Sequence, residues 1–283
     1  MMKKIVAIAM LFGTLVVNAQ EKKEEPKEGW KRGGNISFLF NQSAFNNWLA
    51  GGVNNISGTL GINYDFNYAK GDWTWDNKII ASYGLTKIKN EGAKKTDDRF
   101  EFNSLAGKKA SGNWYYSAFF NFKTQMSSTY NEGVQQSHFF SPAYFQFGPG
   151  MLWKKSENLK VNFAPATSKL IIVDNQFTAG LPAGASYFGV KPGETTRYEL
   201  GAAINGYYKI NIMENVSVEN ILNLYSNYLD EAQNVDIDYT VNVVMKINKY
   251  LSANLALQAI YDDNAYEGFQ TREIFGLGVN YNF

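Results

Sequence analysis

The sequence predicts an all-β fold, a transmembrane antiparallel β-barrel of the outer-membrane type with about 12 strands. Three observations carry this reading. Apolar and polar residues alternate with a period of two from Asn35 to the end of the chain, the spacing of a strand with one apolar face. Several candidate strands run to 12–17 residues, against a soluble norm of about 5–6. The connections alternate between short and long, as in barrels with short periplasmic turns and longer extracellular loops.

In chain order, Met1–Ala19 reads as a secretory signal. Lys3 and Lys4 form its basic start, Ile5–Val17 its apolar run, and Val17-Asn18-Ala19 its small-residue cleavage site. That run is short for a spanning helix, which needs about 20 residues. Residues 20–29 (QEKKEEPKEG) are charged and should form a disordered periplasmic tail. Residues 30–283 should form the barrel. Its strands fall near 35–43, 53–69, 72–86, 98–109, 113–125, 139–154, 159–173, 195–211, 215–229, 236–248, 250–262 and 272–283. The short connections include Lys70-Gly71, Lys155–Asn158 and Asn248-Lys249. The long ones are Ala44–Gly52, Lys87–Asp97, Met126–His138, Asp174–Glu194, Asp230–Val235 and Asp263–Thr271. An even strand number puts both ends of the barrel on the periplasmic side.

The last strand shows the alternation best, with Phe275, Leu277, Val279, Tyr281 and Phe283 against Gly276, Gly278, Asn280 and Asn282. Trp30, Trp73, Trp75, Trp114, Trp153 and Tyr250 sit at the short-turn ends of strands. Tyr and Trp favour a membrane boundary because each joins an apolar ring to one polar atom. A final strand ending on Phe283 resembles the signal read by the bacterial barrel assembly machinery, an expected partner along with outer-membrane lipid. A secreted sandwich or propeller is the competing fold, and it requires neither the long strands nor the boundary aromatics.

The chain has 283 residues and a net charge of +1, with 16% aromatic and 19% charged residues, no Cys and one His. The charge gives no case for nucleic acid. Without Cys there is no disulfide, thiol nucleophile or Cys metal site. A single His excludes a two-His metal centre. No cofactor and no metal are expected.

Several blocks of sequence resemble a family of outer-membrane barrels of unknown function from Bacteroidota. They include Trp30–Asn54, YGLTK at Tyr83–Lys87, KTDDRFEFNS at Lys95–Ser104, WYYSAFFNFKTQ at Trp114–Gln125, FFSPAY at Phe139–Tyr144, YSNYL at Tyr225–Leu229 and NKYLSANLALQAIYDD at Asn248–Asp263. The resemblance implies a Gram-negative envelope protein in the outer membrane. It supplies no activity and no site residue.

If the apolar faces meet lipid, the lumen is lined by Asp65, Asp76, Lys78, Arg99, Glu101, Lys123, Arg197, Glu199 and Lys246, together with Asn103, Asn121, Glu219, Asn223, Asp236, Asp238 and Gln258. Both signs of charge are present, whereas an ion-selective ring favours one. Opposite charges can pair across the bore and partly close it, and twelve strands allow a narrow channel without requiring one. Trp48 and Leu49 in FNNWLAGG, and Phe177 and Tyr187 in the longest connection, are candidates for a constriction or a partner-docking loop. The carboxylates Asp97-Asp98, Asp230-Glu231, Asp236/Asp238 and Asp262-Asp263 suit Ca²⁺ or lipopolysaccharide bridging, or simply solvation, and none has calcium-loop spacing. Ser137 and His138 are neighbours in a predicted loop, where adjacency does not make a hydrogen-bonded pair, and no nucleophile motif occurs elsewhere. An enzyme is therefore not expected. The expected function is a narrow passive channel for small polar solutes. The alternative is a closed structural or accessory barrel of an envelope complex with a protein partner.

Overall fold

The structure, a computed structural model, describes residues 28–44 and 53–283. The expected signal (1–19), nearly all of the expected tail (20–29) and the loop residues Trp48 and Leu49 lie outside the described residues. Twelve strands form one closed antiparallel ring. They are β1 (Gly29–Ser43), β2 (Asn55–Lys70), β3 (Trp73–Ile88), β4 (Ala93–Ser111), β5 (Trp114–Thr124), β8 (Ala143–Ser156), β9 (Leu159–Ile172), β10 (Thr196–Met213), β11 (Val216–Asn227), β12 (Val235–Lys246), β13 (Leu251–Asp262) and β14 (Tyr266–Asn282). A small hairpin, β6 (Thr129–Asn131) and β7 (Val134–Ser137), rises from the connection between β5 and β8.

Each strand pairs with its sequence neighbour, and β1 meets β14 to close the ring, from Asn35↔Asn282 to Phe40↔Leu277. Gly34 and Phe283 exchange backbone hydrogen bonds of 2.9 and 3.1 Å at this junction. A Cβ on Gly34 would lie 2.7 Å from the Phe283 ring and 2.8 Å from the Asn63 carbonyl, so only glycine fits. Phe283 stacks on Tyr64 and Tyr281.

The usual order of burial is inverted. Large apolar side chains such as Phe38, Leu60, Phe147, Phe163, Phe275, Leu277 and Val279 stand exposed on the outer face. Glu101, Glu199, Lys169, Asp76 and Asn162 are buried on the inner face. An outer wall of this kind belongs in lipid, with the backbone satisfied between strands. Trp30, Trp73, Trp75, Trp114 and Tyr250 are exposed at the short-turn end, and Phe139, Tyr198, Tyr228 and Tyr266 at the long-loop end. They are placed as two girdles.

Two expected external loops are corrected. Lys87–Asp97 and Asp263–Thr271 are mostly strand, because β3 continues to Ile88, β4 starts at Ala93 and β14 starts at Tyr266. In these hairpins the ladder runs on above the apolar band, where polar residues keep the pairing but not the alternation of hydrophobicity. β1 also starts early, at Gly29, because Gly29–Gly34 pair with the foot of β2.

Val241 lies mid-strand in β12 on the outer face. Val241→Arg is expected to lower folding stability by about 2–4 kcal/mol, read as a lower urea midpoint for folding into vesicles. Arg at exposed Tyr250, on the boundary, is expected to cost about 1 kcal/mol or less.

Candidate functional site

Residues directly opposite each other in adjacent strands share a face, so the ladder fixes which side chains enter the lumen. Asp65↔Lys78, Lys78↔Asn103, Glu101↔Lys123, Lys169↔Glu199 and Asn223↔Asp238 all point inward. These charges form three tiers of ion pairs.

At the short-turn end Asp76 accepts Lys154 Nζ at 3.0 and 3.1 Å and Lys160 Nζ at 2.6 Å. Thr74 links the same pair, donating to Asp76 and accepting from Lys154 at 3.0 Å. Lys78 Nζ lies 2.8 Å from Glu219 and 3.9 Å from Asp65. Glu219 also accepts the Tyr207 hydroxyl at 2.9 Å and Asn242 Nδ2 at 3.0 Å. β3 and β11 stand six places apart in the ring of twelve, so Lys78–Glu219 spans the full bore.

In the middle tier Arg99 donates to Glu101 Oε2 from Nη2 (2.5 Å) and Nε (3.1 Å). The other Glu101 oxygen accepts Asn103 at 2.8 Å and Asn121 at 3.3 Å. Lys123 reaches from β5 to Asp238 on β12 at 2.6 Å, and Gln258 donates to the second Asp238 oxygen at 2.8 Å. Arg272 on β14 meets Asp97 on β4 at 2.5 Å.

At the long-loop end Lys169 Nζ sits among Asp236 (2.9 Å), Glu199 (3.3 Å) and Asp262 (3.9 Å). Arg197 donates to Glu199 (2.7 Å), Asp230 (3.1 Å) and Asn264 (3.1 Å). Lys246 stands apart from these tiers. It is exposed at the foot of β12 and lines a cavity of about 550 Å³ with Asp65, Lys78, Asp97, Arg99 and Glu219. A second cavity of about 320 Å³ adjoins it, lined among others by Asp76, Lys160, Asn162 and Asn223.

The longest connection is seated in the mouth. Ile171 shares the inward face of Lys169, and Tyr144 that of Lys123. Val173 and Val190 bury against Ile171, with Tyr144, Phe177, Tyr187 and Phe188 around them. A four-residue helix, α1 (Asn175–Thr178), is capped by Asp174, which accepts from Gln176 N at 2.9 Å. Phe177 stacks on Tyr187 at 5.6 Å, and the Tyr187 hydroxyl donates to the Gln136 carbonyl at 2.7 Å. Burial there pushes the Tyr187 phenol above its ordinary pKa. His138 belongs to the same lid. Its Nε2 lies 3.3 Å from Asp174 and its ring 5.5 Å from Phe177.

Among the described residues, one acidic group has the geometry to hold a metal ion. Asp236, Asp262 and Asp263 bring carboxylate oxygens within 4.8 Å of one another. The ammonium of Lys169 already lies beside two of them, and Asn234 donates to the third at 2.6 Å.

The alternation does not bring Lys154, Lys160 or Lys169 into the lumen, although Lys154 and Lys160 hold Asp76 and Lys169 holds Asp236 and Glu199. On β9 the inward phase runs Lys160, Asn162, Ala164 and then Thr167, Lys169, Ile171, because Pro165 and Ala166 form a bulge. No single-phase reading of that strand places both Lys160 and Lys169 inside. The signal that finds them is a proline within an otherwise alternating strand.

A family described as a protein of unknown function (DUF3078) matches residues 40–130. No curated protein matches the sequence. Among solved structures, the chain is similar to the COG4313 outer membrane channel from Pseudomonas putida F1 (10% identity, 94% of this chain and 98% of that one, TM-score 0.38). It is also similar to the translocator domain of the autotransporter NalP from Neisseria meningitidis (9% identity, 99% and 98%, TM-score 0.36). A third is the outer membrane channel DcaP of Acinetobacter baumannii (13% identity, 90% and 96%, TM-score 0.30).

Lys169→Met leaves three carboxylates facing each other without a central cation. It is expected to lower stability by about 3–5 kcal/mol, measured as the urea midpoint in detergent micelles. Adding Asp236→Asn is expected to recover part of that loss, because it removes one of the stranded charges.

Proposed function

We propose that this protein is an outer-membrane barrel that forms a narrow route for small polar solutes, closed in its resting state by the cross-lumen ion pairs. The observation that carries this reading is Lys78–Glu219, a 2.8 Å contact between opposite strands of the ring. Lys123–Asp238 spans the bore five strand places apart. The cavities below are lined by Asn, Ser and Thr as well as charges, walls suited to hydrated solutes. Both signs line the bore, so the route discriminates by size more than by charge.

The same reading makes Met1–Ala19 an export signal and residues 20–29 a tail, places the short turns in the periplasm and gives a Gram-negative, Bacteroidota source. It makes Phe283 the contact for the assembly machinery and lipid the surrounding partner. It assigns no catalytic residue and no cofactor. A second reading, an accessory barrel with an envelope protein partner, draws on the exposed apolar residues Tyr130, Val134, Tyr228 and Leu229 on the outer hairpin and loops.

The test is single-channel recording in a planar bilayer. The unmodified protein is expected to give rare, brief openings. Lys78→Ala combined with Lys123→Ala is expected to give steady openings, at least tenfold longer. Steady steps from the unmodified protein, unchanged in the double variant, would mean the pairs do not close the path. Silence from both, with folding shown by heat-dependent gel mobility, rejects the channel in favour of the accessory barrel.

A further inference from the structure

The barrel wall is irregular between β8 and β9. Between β8 and β9 the register pairs stop at Phe147↔Ser168 and resume at Met151↔Phe163. The gap holds Gly148-Pro149-Gly150 on one strand and Ala164-Pro165-Ala166-Thr167 on the other. Each proline removes one N–H donor from the wall. The ladder from β9 to β10 breaks at the same level, between Gly201↔Thr167 and Ala203↔Ala164. Two carbonyls of β9 accept hydroxyls at this level. Tyr228 donates to Pro165 O at 3.0 Å and Thr167 Oγ1 to Ala164 O at 2.9 Å. The glycines let the two backbones close by contact. A Cβ on Gly148 would lie 2.5 Å from Ala166 O, and one on Gly150 would clash with Phe163 O.

Inside this seam lies an apolar patch. Phe119 pairs across from Gly148, and Ala164, Ala203 and Tyr225 follow at the same level on β9, β10 and β11. Phe119, Ala164, Ala203 and Tyr225 are buried together, with Leu105 against them. The Tyr225 hydroxyl is buried without a hydrogen-bond partner. The 320 Å³ cavity adjoins the patch, with Leu105 and Phe119 at its apolar side and Asn121, Asn162 and Lys160 at its polar side. Outside, Phe147 and Phe163 are exposed beside the gap, on the wall that faces lipid.

We propose that the seam between β8 and β9 is a lateral entry for a single-chain lipid. The apolar chain passes from the bilayer between Gly148–Gly150 and Ala164–Thr167 and lies on the inner patch, with its polar head in the adjoining cavity. The occupant follows from position, since acyl chains are what touch this part of the wall. One seam and a cavity of about 320 Å³, at the small end of ligand pockets, suit one chain. The seam opens at low cost because no register pair crosses the gap and only backbone packing at the glycines closes it.

The test is photolabelling of the full-length folded protein in phosphatidylcholine vesicles with a sixteen-carbon fatty acid bearing a mid-chain diazirine. Labelled peptides are then sequenced by mass spectrometry. Label is expected on Phe119 or Tyr225 inside as well as on Phe147 or Phe163 outside. Ala164→Phe, which fills the patch, is expected to cut the inner label at least tenfold and keep the outer label, which also reports folding. The chain has no native cysteine, so Met151→Cys with Phe163→Cys gives a single disulfide across the seam, and its formation is expected to abolish the inner label. Label confined to outer residues in the unmodified protein overturns the proposal. So does inner label that survives the disulfide, since the lipid then enters along the bore.

Discussion

The structure depends on one constraint, that a backbone crossing lipid must find its hydrogen-bond partners within the wall. Water cannot supply them there, and each unmet group costs several kcal/mol. A closed ring is the solution for strands, and it holds only if the last strand meets the first. That junction is short, six register pairs from Asn35↔Asn282 to Phe40↔Leu277. Its lower end depends on Gly34 having no side chain, so that Phe283 can hydrogen-bond to it and stack on Tyr64. The C-terminal aromatic is thus part of the closure itself.

Closure also decides what the interior must be. Eight strands leave a bore that side chains fill and sixteen leave a water channel. Twelve give a width that a lysine or arginine from one wall crosses to reach a carboxylate on the far wall. Lys78, Lys123, Lys160 and Arg272 all make such crossings. Removing charges from bulk water is costly, so Lys78, Arg99, Lys123, Lys154, Lys160, Lys169, Arg197 and Arg272 are each held by at least one carboxylate, and several carboxylates by further amide or hydroxyl donors. Glu101 and Glu219 show this most fully. Mixed signs in the sequence are the trace of that requirement.

Fold class and strand number were legible in the sequence because a barrel strand writes its two faces into alternate positions. Asp65, Lys78, Glu101 and Glu219 could be placed from that period alone. Legibility failed where the period did. The bulge at Pro165-Ala166 shifts the phase of β9, which hid Lys160 and Lys169. Above the apolar band, Lys87–Asp97 and the start of β14 pair as strands without an apolar face, so composition read them as loops. Which residues meet across the bore was not legible at all, since Lys78 and Glu219 are 141 positions apart. Nor was the lid, because the burial of Phe177 and Tyr187 depends on Tyr144 and Ile171 from two other segments.

The irregular seam and the ion pairs are not independent parts of the wall. Lys169 Nζ lies 4.9 Å from the centre of the Tyr225 ring, while its charge is held by Asp236 and Glu199. Tyr225 packs over Gly201, where a Cβ would lie 3.0 Å from the ring. The ring therefore has the apolar patch on one side and the ammonium of the upper tier on the other. Moving Tyr225 off the patch strips Lys169 of a cation–π contact worth up to about 2 kcal/mol where water is excluded. The same ammonium stands beside Asp262, which ends β13 on the long-loop side. Through that one lysine, the order of the mouth and the packing behind the seam share a single set of contacts, and a change at either is felt at the other.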